Sequence, residues 1–474
     1  MTDTAAKAKK ELFENMPVKK AIATMAVPTI ISQLINLIYN IADTFYIGLT
    51  GDAYKTAAVT VAFTIYMMTV SFSNMFGMGG GSLMARLSGA GDSENAGRVC
   101  AFSFYGAVAI ALLYSLLIGA FLDPVLYLLG ASAKTIGFAR QYVIYVVIAG
   151  NVPVILSMTC GHLLRNAGYS RQASIGMSGG GILNIILDPL FMFVIFPKGQ
   201  EVTGAAVATL ISNIVSCIYL IAVMHRYSHA SHLSVRLSDA FALSRELIGR
   251  LFAVGVPSAV LTGLFDVANI FLNALMAAHG DLQLAAIGIV MKAERLPNAL
   301  NVGLCQGMVP LVAYSYSRGM TARMNEIIKR VRIYGIIIGT ASFVLFEALA
   351  PQVVHIFLST SAGDVEGSTA AIAFATVFLR IRCAAPLPQF FNYSTSFTLQ
   401  AVGDGKDTLI HAAVRELVFY IPFMFILNRL FGTYGLVSAV VIGEACGAAF
   451  AFLLLHLWKR KNIPTVSGDI SVHK

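Results

Sequence analysis

The chain has 474 residues, 57% of them hydrophobic and 12% charged. A soluble domain carries about 25% charged residues, so the composition excludes an ordinary soluble enzyme. The net charge of +9 would suit a nucleic-acid partner only if the charges shared one face, and they are spread over the segments between apolar runs.

A membrane-spanning helix needs about 20 apolar residues. Apolar runs predict twelve such helices, near 21–47, 55–80, 96–120, 137–161, 170–195, 203–224, 250–277, 284–310, 330–350, 370–398, 408–427 and 435–457. Thr50-Gly51-Asp52, Gly89-Ala90-Gly91-Asp92, Asn166-Ala167-Gly168, Pro197-Lys198-Gly199 and Gly403-Asp404-Gly405 punctuate them as turns. Strands of a transmembrane barrel would be about ten residues long and alternate in polarity; these runs do neither. The segment 1–20 is polar and lacks the short apolar stretch of a signal peptide.

With the N-terminus inside, the inner segments hold 23 of the 33 Lys and Arg and the outer segments 5. That asymmetry places both termini in the cytoplasm, accounts for the net charge, and leaves no call for nucleic acid. Six cysteines stand singly in apolar stretches, without a metal-ligand or disulfide pattern. The nine histidines show no ligand spacing, and His225, His229 and His232 fall in a basic stretch read as solvated.

The chain repeats itself. Ala26-Val27-Pro28-Thr29 matches Gly255-Val256-Pro257-Ser258, and Gly79, Ala85 and Gly91 match Gly307, Ala313 and Gly319. Leu164 and Gly168 match Leu399 and Gly403. The expected organisation is a cytoplasmic segment 1–20, a six-helix bundle 21–224, a cytoplasmic linker 225–249, a second bundle 250–457 and a cytoplasmic tail 458–474. Each half has an even number of spans, so the repeats are related by an axis along the membrane normal, with a substrate site between them. The fold class is therefore all-α and integral to the membrane: twelve helices in two pseudo-symmetric bundles.

Asp43 falls mid-span. A carboxylate there costs at least about 2.5 kcal/mol unless it is partnered, which makes it a candidate proton carrier or sodium ligand; a structural hydrogen bond to a neighbouring helix is the plainer reading. Asn36 and Asn40 share its helix face. Asn184 and Asp188, four apart, share a face of the fifth helix, and Gly180 and Gly181 just before them permit a close helix approach. Asp188-Pro189 could equally be a helix breaker with a local hydrogen bond. Gly77, Gly79, Gly80 and Gly81 lack a Walker lysine and read as helix packing, not a phosphate loop.

These residues resemble the multidrug and toxic compound extrusion (MATE) transporters, bacterial branch. The resemblance rests on Ala42-Asp43-Thr44 with Gly48, on Leu164-Arg165-Asn166-Ala167-Gly168, and on Asn184 with Asp188-Pro189. Gly204-Ala205-Ala206, and Gly405-Lys406 with Arg415 and Ile421-Pro422, extend it over nearly the whole chain. The resemblance implies export of organic, often cationic, compounds in exchange for H+ or Na+, without a cofactor or catalysis. It implies a multi-pass monomer in the cell (inner) membrane whose partners are small substrates and the bilayer. It also implies a coupling-cation site at Asp43, Asn184 and Asp188, with Asn40 nearby and Thr209 adding a hydroxyl.

The second half is not a copy: Leu272 stands where Asp43 would repeat. Asp266 and Glu294 are its candidates for contacting substrate, although Lys292, Arg295, Arg380 or Arg382 could pair with them instead. Glu347, Glu416 and Glu444 read as paired or near helix ends. A lipid-linked sugar flippase of the same superfamily is the alternative, and it would want a cationic cavity. A membrane-embedded lipid-modifying enzyme would need a His/Asp or metal constellation that the sequence does not display.

Overall fold

The computed structural model describes residues 7, 9–228, 233–358 and 365–462. His229, His232 and most of the 458–474 tail lie outside these. Among the described residues the chain is helical, without strands. Its long helices are α1 (Val18–Gly48), α2 (Ala53–Gly89) and α3 (Ser93–Ala120), then α4 in the pieces Ile136–Val143, Ile144–Ala149 and Asn151–Asn166. Next come α5 (Ser170–Leu190), α6 (Glu201–Tyr227), α7 (Arg245–Ala277), α8 (Asp281–Ser317) and α9 (Thr321–Leu358). α10 consists of Val365–Arg382 and Pro386–Val402, and α11 runs from Gly405 through a π-helical stretch Val414–Tyr420 to 431. Gly432, at φ 61° and ψ −140°, separates it from α12 at 433–462.

Most of these helices are long and apolar enough to cross a membrane unaided. α4 and α10 cross as bent pairs, each turned through 51°. Pro386 opens the second piece of α10, and α4 bends at Gly150. α8 is the polar exception. It carries Lys292, Glu294 and Arg295 mid-length, yet its 37 residues make a rod of roughly 55 Å at 1.5 Å per residue. The result is twelve spans in two bundles of six.

The helices run farther than the apolar runs suggest: α2 to Gly89 and α9 from Thr321. Polar turns continue them past the apolar stretch, and side-chain caps start several. Asp52, Asp92, Ser244 and Asp404 each accept from a first-turn amide, satisfying donors a helix start leaves open.

The bundles touch through α1 against α8 and α2 against α7. Glycine makes the contact. A Cβ on Gly79 would lie 2.7 Å from the Leu251 carbonyl, and one on Gly307 would lie 2.5 Å from Ala26 Cα. The packing reading of the Gly77–Gly81 stretch thus holds at Gly79. Polar groups span the same seam: Gln33 Nε2 donates to Gln306 Oε1 (3.0 Å), Arg165 Nη1 donates to the same oxygen (3.4 Å), and Ser82 Oγ donates to the Gln400 carbonyl (2.5 Å).

Ahead of α1, residues Glu11–Asn15 form a short π-helical arm under this end of the molecule. Phe13 is buried and stacks on Tyr314 of α8 with ring centroids 4.7 Å apart. Tyr314 donates its hydroxyl to Glu14 (2.8 Å), Arg323 of α9 donates to the Met16 carbonyl (2.8 Å), and Lys9 donates to Ser88 Oγ of α2 (2.5 Å). The arm therefore holds both bundles.

Candidate functional site in the N-terminal bundle

α5 and α6 can bring polar groups together because Gly180 leaves room. A Cβ there would sit 2.9 Å from Ser216 Cβ of α6, and one on Gly181 would touch Ile35 and Tyr39 of α1. One turn on, Asn184 and Asp188 are both buried. Asn184 Nδ2 donates to Asp188 Oδ1 (3.0 Å) and to Thr209 Oγ1 of α6 (3.2 Å). Three of the expected residues therefore form one hydrogen-bonded unit. Pro189 follows at once; it has no N–H to donate, and the helix passes into the π-helical turn Phe191–Ile195. π-turns inside helices are frequent at functional sites.

α1 contributes the facing wall. Asn40 Nδ2 donates to the Asn36 carbonyl (2.6 Å). Asp43 is half-buried, with Oδ1 shut off from solvent and without a hydrogen-bond donor. Its charge falls within electrostatic reach of Asp188 and of Tyr39, Tyr66 and Tyr142. Asp188 Oδ2 and Asn184 Oδ1 are likewise buried without a donor. Three oxygens that want a positive partner thus share one neighbourhood. Of the three, Asn184 lines a cavity of about 250 Å³ whose walls also include Asn36, Tyr39, Asn40, Tyr66 and Asn213.

Hard oxygens of this kind suit a proton or an alkali cation. Among the described residues no group of three His, Cys, Asp or Glu is placed to hold a transition metal.

The tyrosines were not singled out by sequence reasoning, being lost among 30 Phe and 18 Tyr. A signal existed for Tyr39, which precedes Asp43 by one helical turn. Tyr66 and Tyr142 come from other helices, and nothing local marks them.

The C-terminal candidates are not brought together in this way. Glu294 is engaged: Arg382 of α10 clasps it with two parallel bonds, Nε to Oε1 (2.7 Å) and Nη2 to Oε2 (2.8 Å). Its partner is a distant arginine, not the adjacent Lys292 or Arg295. Arg380 faces Glu347 instead (3.8 Å). Asp266 is half-buried, with Arg295 as its charged neighbour. Leu272 is fully buried in the apolar core of that bundle.

A family model described as MatE matches residues 28–190 and 257–426, one stretch in each bundle. The chain belongs to the MATE family of transporters. It is a membrane transporter, not an enzyme. The multidrug export protein MepA of Staphylococcus saprophyticus is 30% identical over 445 residues, covering 94% of this chain and 95% of that one. MepA of Staphylococcus aureus is 29% identical over the same share.

Solved structures share the fold. A MATE in complex with MaL6 superposes with a TM-score of 0.89 at 24% identity, covering 96% of this chain and 99% of that one. A MOP superfamily transporter from Pyrococcus furiosus, described as having a binding pocket of reversed polarity, gives a TM-score of 0.89 at 24% identity, covering 97% and 99%.

Proposed function

We propose that this MATE transporter exports organic, often cationic, compounds from the cytosol in exchange for H+ or Na+. One observation carries the coupling: the buried, donorless oxygens of Asp43, Asn184 and Asp188 beside a polar cavity inside one bundle. The substrate class rests on the relatives, which are named multidrug export proteins and match along nearly the whole chain. The same matches disfavour a lipid-linked sugar flippase.

In this reading Asp43 and Asp188 hold the ion. Asn184 positions Asp188 and, by the same amide, fixes Thr209. Asn40 lines the approach. A proton on either carboxyl, or a sodium ion among the three oxygens, removes the cost of buried negative charge facing negative charge. The ion then favours one conformation and the substrate the other, so each weakens the other's binding by the same factor. No cofactor takes part. Asp266, half-buried and not clasped as Glu294 is, is the better of the two C-terminal acids for meeting a cationic substrate.

The 23-to-5 distribution of Lys and Arg supports cytoplasmic termini in the cell membrane. On that orientation the glycine seam and the arm lie on the cytoplasmic side. The two six-helix bundles are the bodies that rock about this seam, and the transporter works as a monomer.

Proteoliposomes test the reading. Uptake or release of a fluorescent organic cation is followed under an imposed pH gradient, then under an imposed sodium gradient. Transport driven by one of them is expected. Transport indifferent to both overturns cation coupling.

A further inference from the structure

The C-terminal bundle holds a second buried polar centre. α11 carries it within the π-helical stretch Val414–Tyr420, where Arg415 and Glu416 are both turned into the protein. Arg415 Nη2 and Nε donate to Glu444 of α12 at 2.5 and 3.0 Å. Tyr393 of α10 lies against the guanidinium, 5.1 Å from ring centroid to Cζ. Asn392 Nδ2 donates to the same Glu444 carboxyl (2.7 Å), and Asn392 Oδ1 faces His411 Nε2 (3.1 Å). Ser396 closes the chain at His411 Nδ1 (2.9 Å).

Glu416 is the odd member. It is 1% exposed, and its Oε2 has no donor. Its contact with Arg415 is a single 3.5 Å approach between chain neighbours, while Arg415 spends its fork on Glu444. The next arginine, Arg382, is clasped by Glu294 and hydrogen-bonds Tyr420. Two arginines thus serve three carboxyls, Glu294, Glu416 and Glu444. An unpaired buried carboxylate is strongly disfavoured, and a group so placed takes up a proton.

The remaining candidates for balancing it are accounted for. His411 receives an Asn392 oxygen at Nε2, so that nitrogen carries the hydrogen. Its Nδ1 can take the Ser396 hydroxyl, which leaves the ring neutral. α7 also packs against this stretch. Of its ionisable groups, Glu246 pairs with Arg250, Asp266 lies beside Arg295, and Arg245 is exposed.

The place in the repeat adds weight. Gly168 and Gly403 are repeat partners, so α5 and α11 are corresponding helices. Pro189 lies 21 residues after the first and Pro422 lies 19 after the second. Each helix carries a buried acid and a π-helical stretch near its proline, at different registers: Asp188 directly before Pro189 with the π-turn after it, and Glu416 six residues before Pro422 within its π-helical stretch.

We propose that Glu416 is a proton-binding site of the C-terminal bundle, held protonated because the fork of Arg415 is committed to Glu444. Its role in transport rests on the coupling reading above; its occupancy does not, and the test reads occupancy without transport.

The test is infrared absorption of the purified full-length protein in lipid nanodiscs at neutral pH, in the carbonyl region of protonated carboxylic acids. Asp43→Asn with Asp188→Asn serves as the background, removing the acids of the other site. A protonated-carboxyl band is expected to remain there and to diminish by one group when Glu416→Gln is added. Glu444→Gln in place of Glu416→Gln frees Arg415, so Glu416 ionises and the same loss is expected with Glu416 still present. This second variant decides the matter if Glu416→Gln fails to fold. A band unchanged by either variant shows Glu416 ionised and overturns the proposal. Failure of gradient-driven transport alone, with the band behaving as expected, would count against the coupling reading and leave Glu416 as a proton site.

Discussion

Gly79 and Gly307 are repeat partners 228 residues apart, and each is pressed against the opening helix of the other half. Gly79 meets Leu251 and Gly255 of α7, and Gly307 meets Ala26 of α1. Gly255 and Ala26 are themselves repeat partners. The seam is therefore one contact made twice, as an axis between the bundles requires.

That seam leaves no space for a side chain. Gly307→Val should cost about 1–3 kcal/mol if the bundles stay together, the usual penalty for overpacking. Parting them relieves it. The variant is expected to lower the melting temperature and to raise the labelling rate of a cysteine at position 33, which faces Gln306 across the seam. Unchanged melting and labelling would show that the seam is looser than the glycine contacts imply.

Asn184 should matter through geometry and not through charge. Asn184→Ala leaves the Asp188 carboxyl and the Thr209 hydroxyl without their shared donor, a loss of about 1–3 kcal/mol for buried groups. Reduced thermal stability and weakened gradient-driven transport are expected. Asn184→Gln, which keeps the amide on a longer arm, should recover less than half of either. Full transport by Asn184→Ala would remove Asn184 from the site.

The spans were legible because apolar runs in a membrane must become helices to satisfy their backbones. The unit formed by Asn184 and Asp188 was legible too, since four residues make one helical turn. Pairing between distant segments was not. Glu294 sits beside Lys292 and Arg295 in the chain, yet its partner is Arg382, 88 residues away. Nothing in the chain marked Glu444, 29 residues away, and not the adjacent Glu416, as the carboxyl that takes the fork of Arg415. Tyr66 and Tyr142 reach the site from α2 and α4, and no periodicity links them to Asp43. The 51° bends of α4 and α10 went unread because a tilted, bent helix has the same apolar length as a straight one.

Burial pushes the Lys9 ammonium down to about 8 where it meets Ser88. Between about pH 8 and the ordinary lysine range near 10.4, the docked arm holds fewer protons than a released one. Docking therefore strengthens as pH rises through that window and is constant below it. A spin label at position 11, exposed on the arm, should become less mobile from pH 8 to 10. Lys9→Met should abolish this dependence. Mobility that rises with pH would contradict the burial of Lys9.

Orientation is open to direct labelling. On a background lacking the six native cysteines, Ser238→Cys in the segment joining the bundles should react with an impermeant reagent only from the cytoplasmic side. Lys198→Cys, between α5 and α6, should react only from outside. Both positions are exposed. The opposite pattern would invert the topology and with it the direction of export.

Gradient-driven transport should depend on the donorless oxygens around Asp43 and Asp188. Its most direct measurement is transport of a fluorescent cation into and out of proteoliposomes under an imposed ion gradient, comparing the wild type with Asp43→Asn and Asp188→Asn at matched reconstitution. Each substitution keeps the shape of the side chain and removes its charge. Both variants should still bind the substrate but lose most gradient-driven transport, at least about tenfold, equivalent to about 1.4 kcal/mol of coupling. Gradient-driven transport at the wild-type rate in both variants would contradict it.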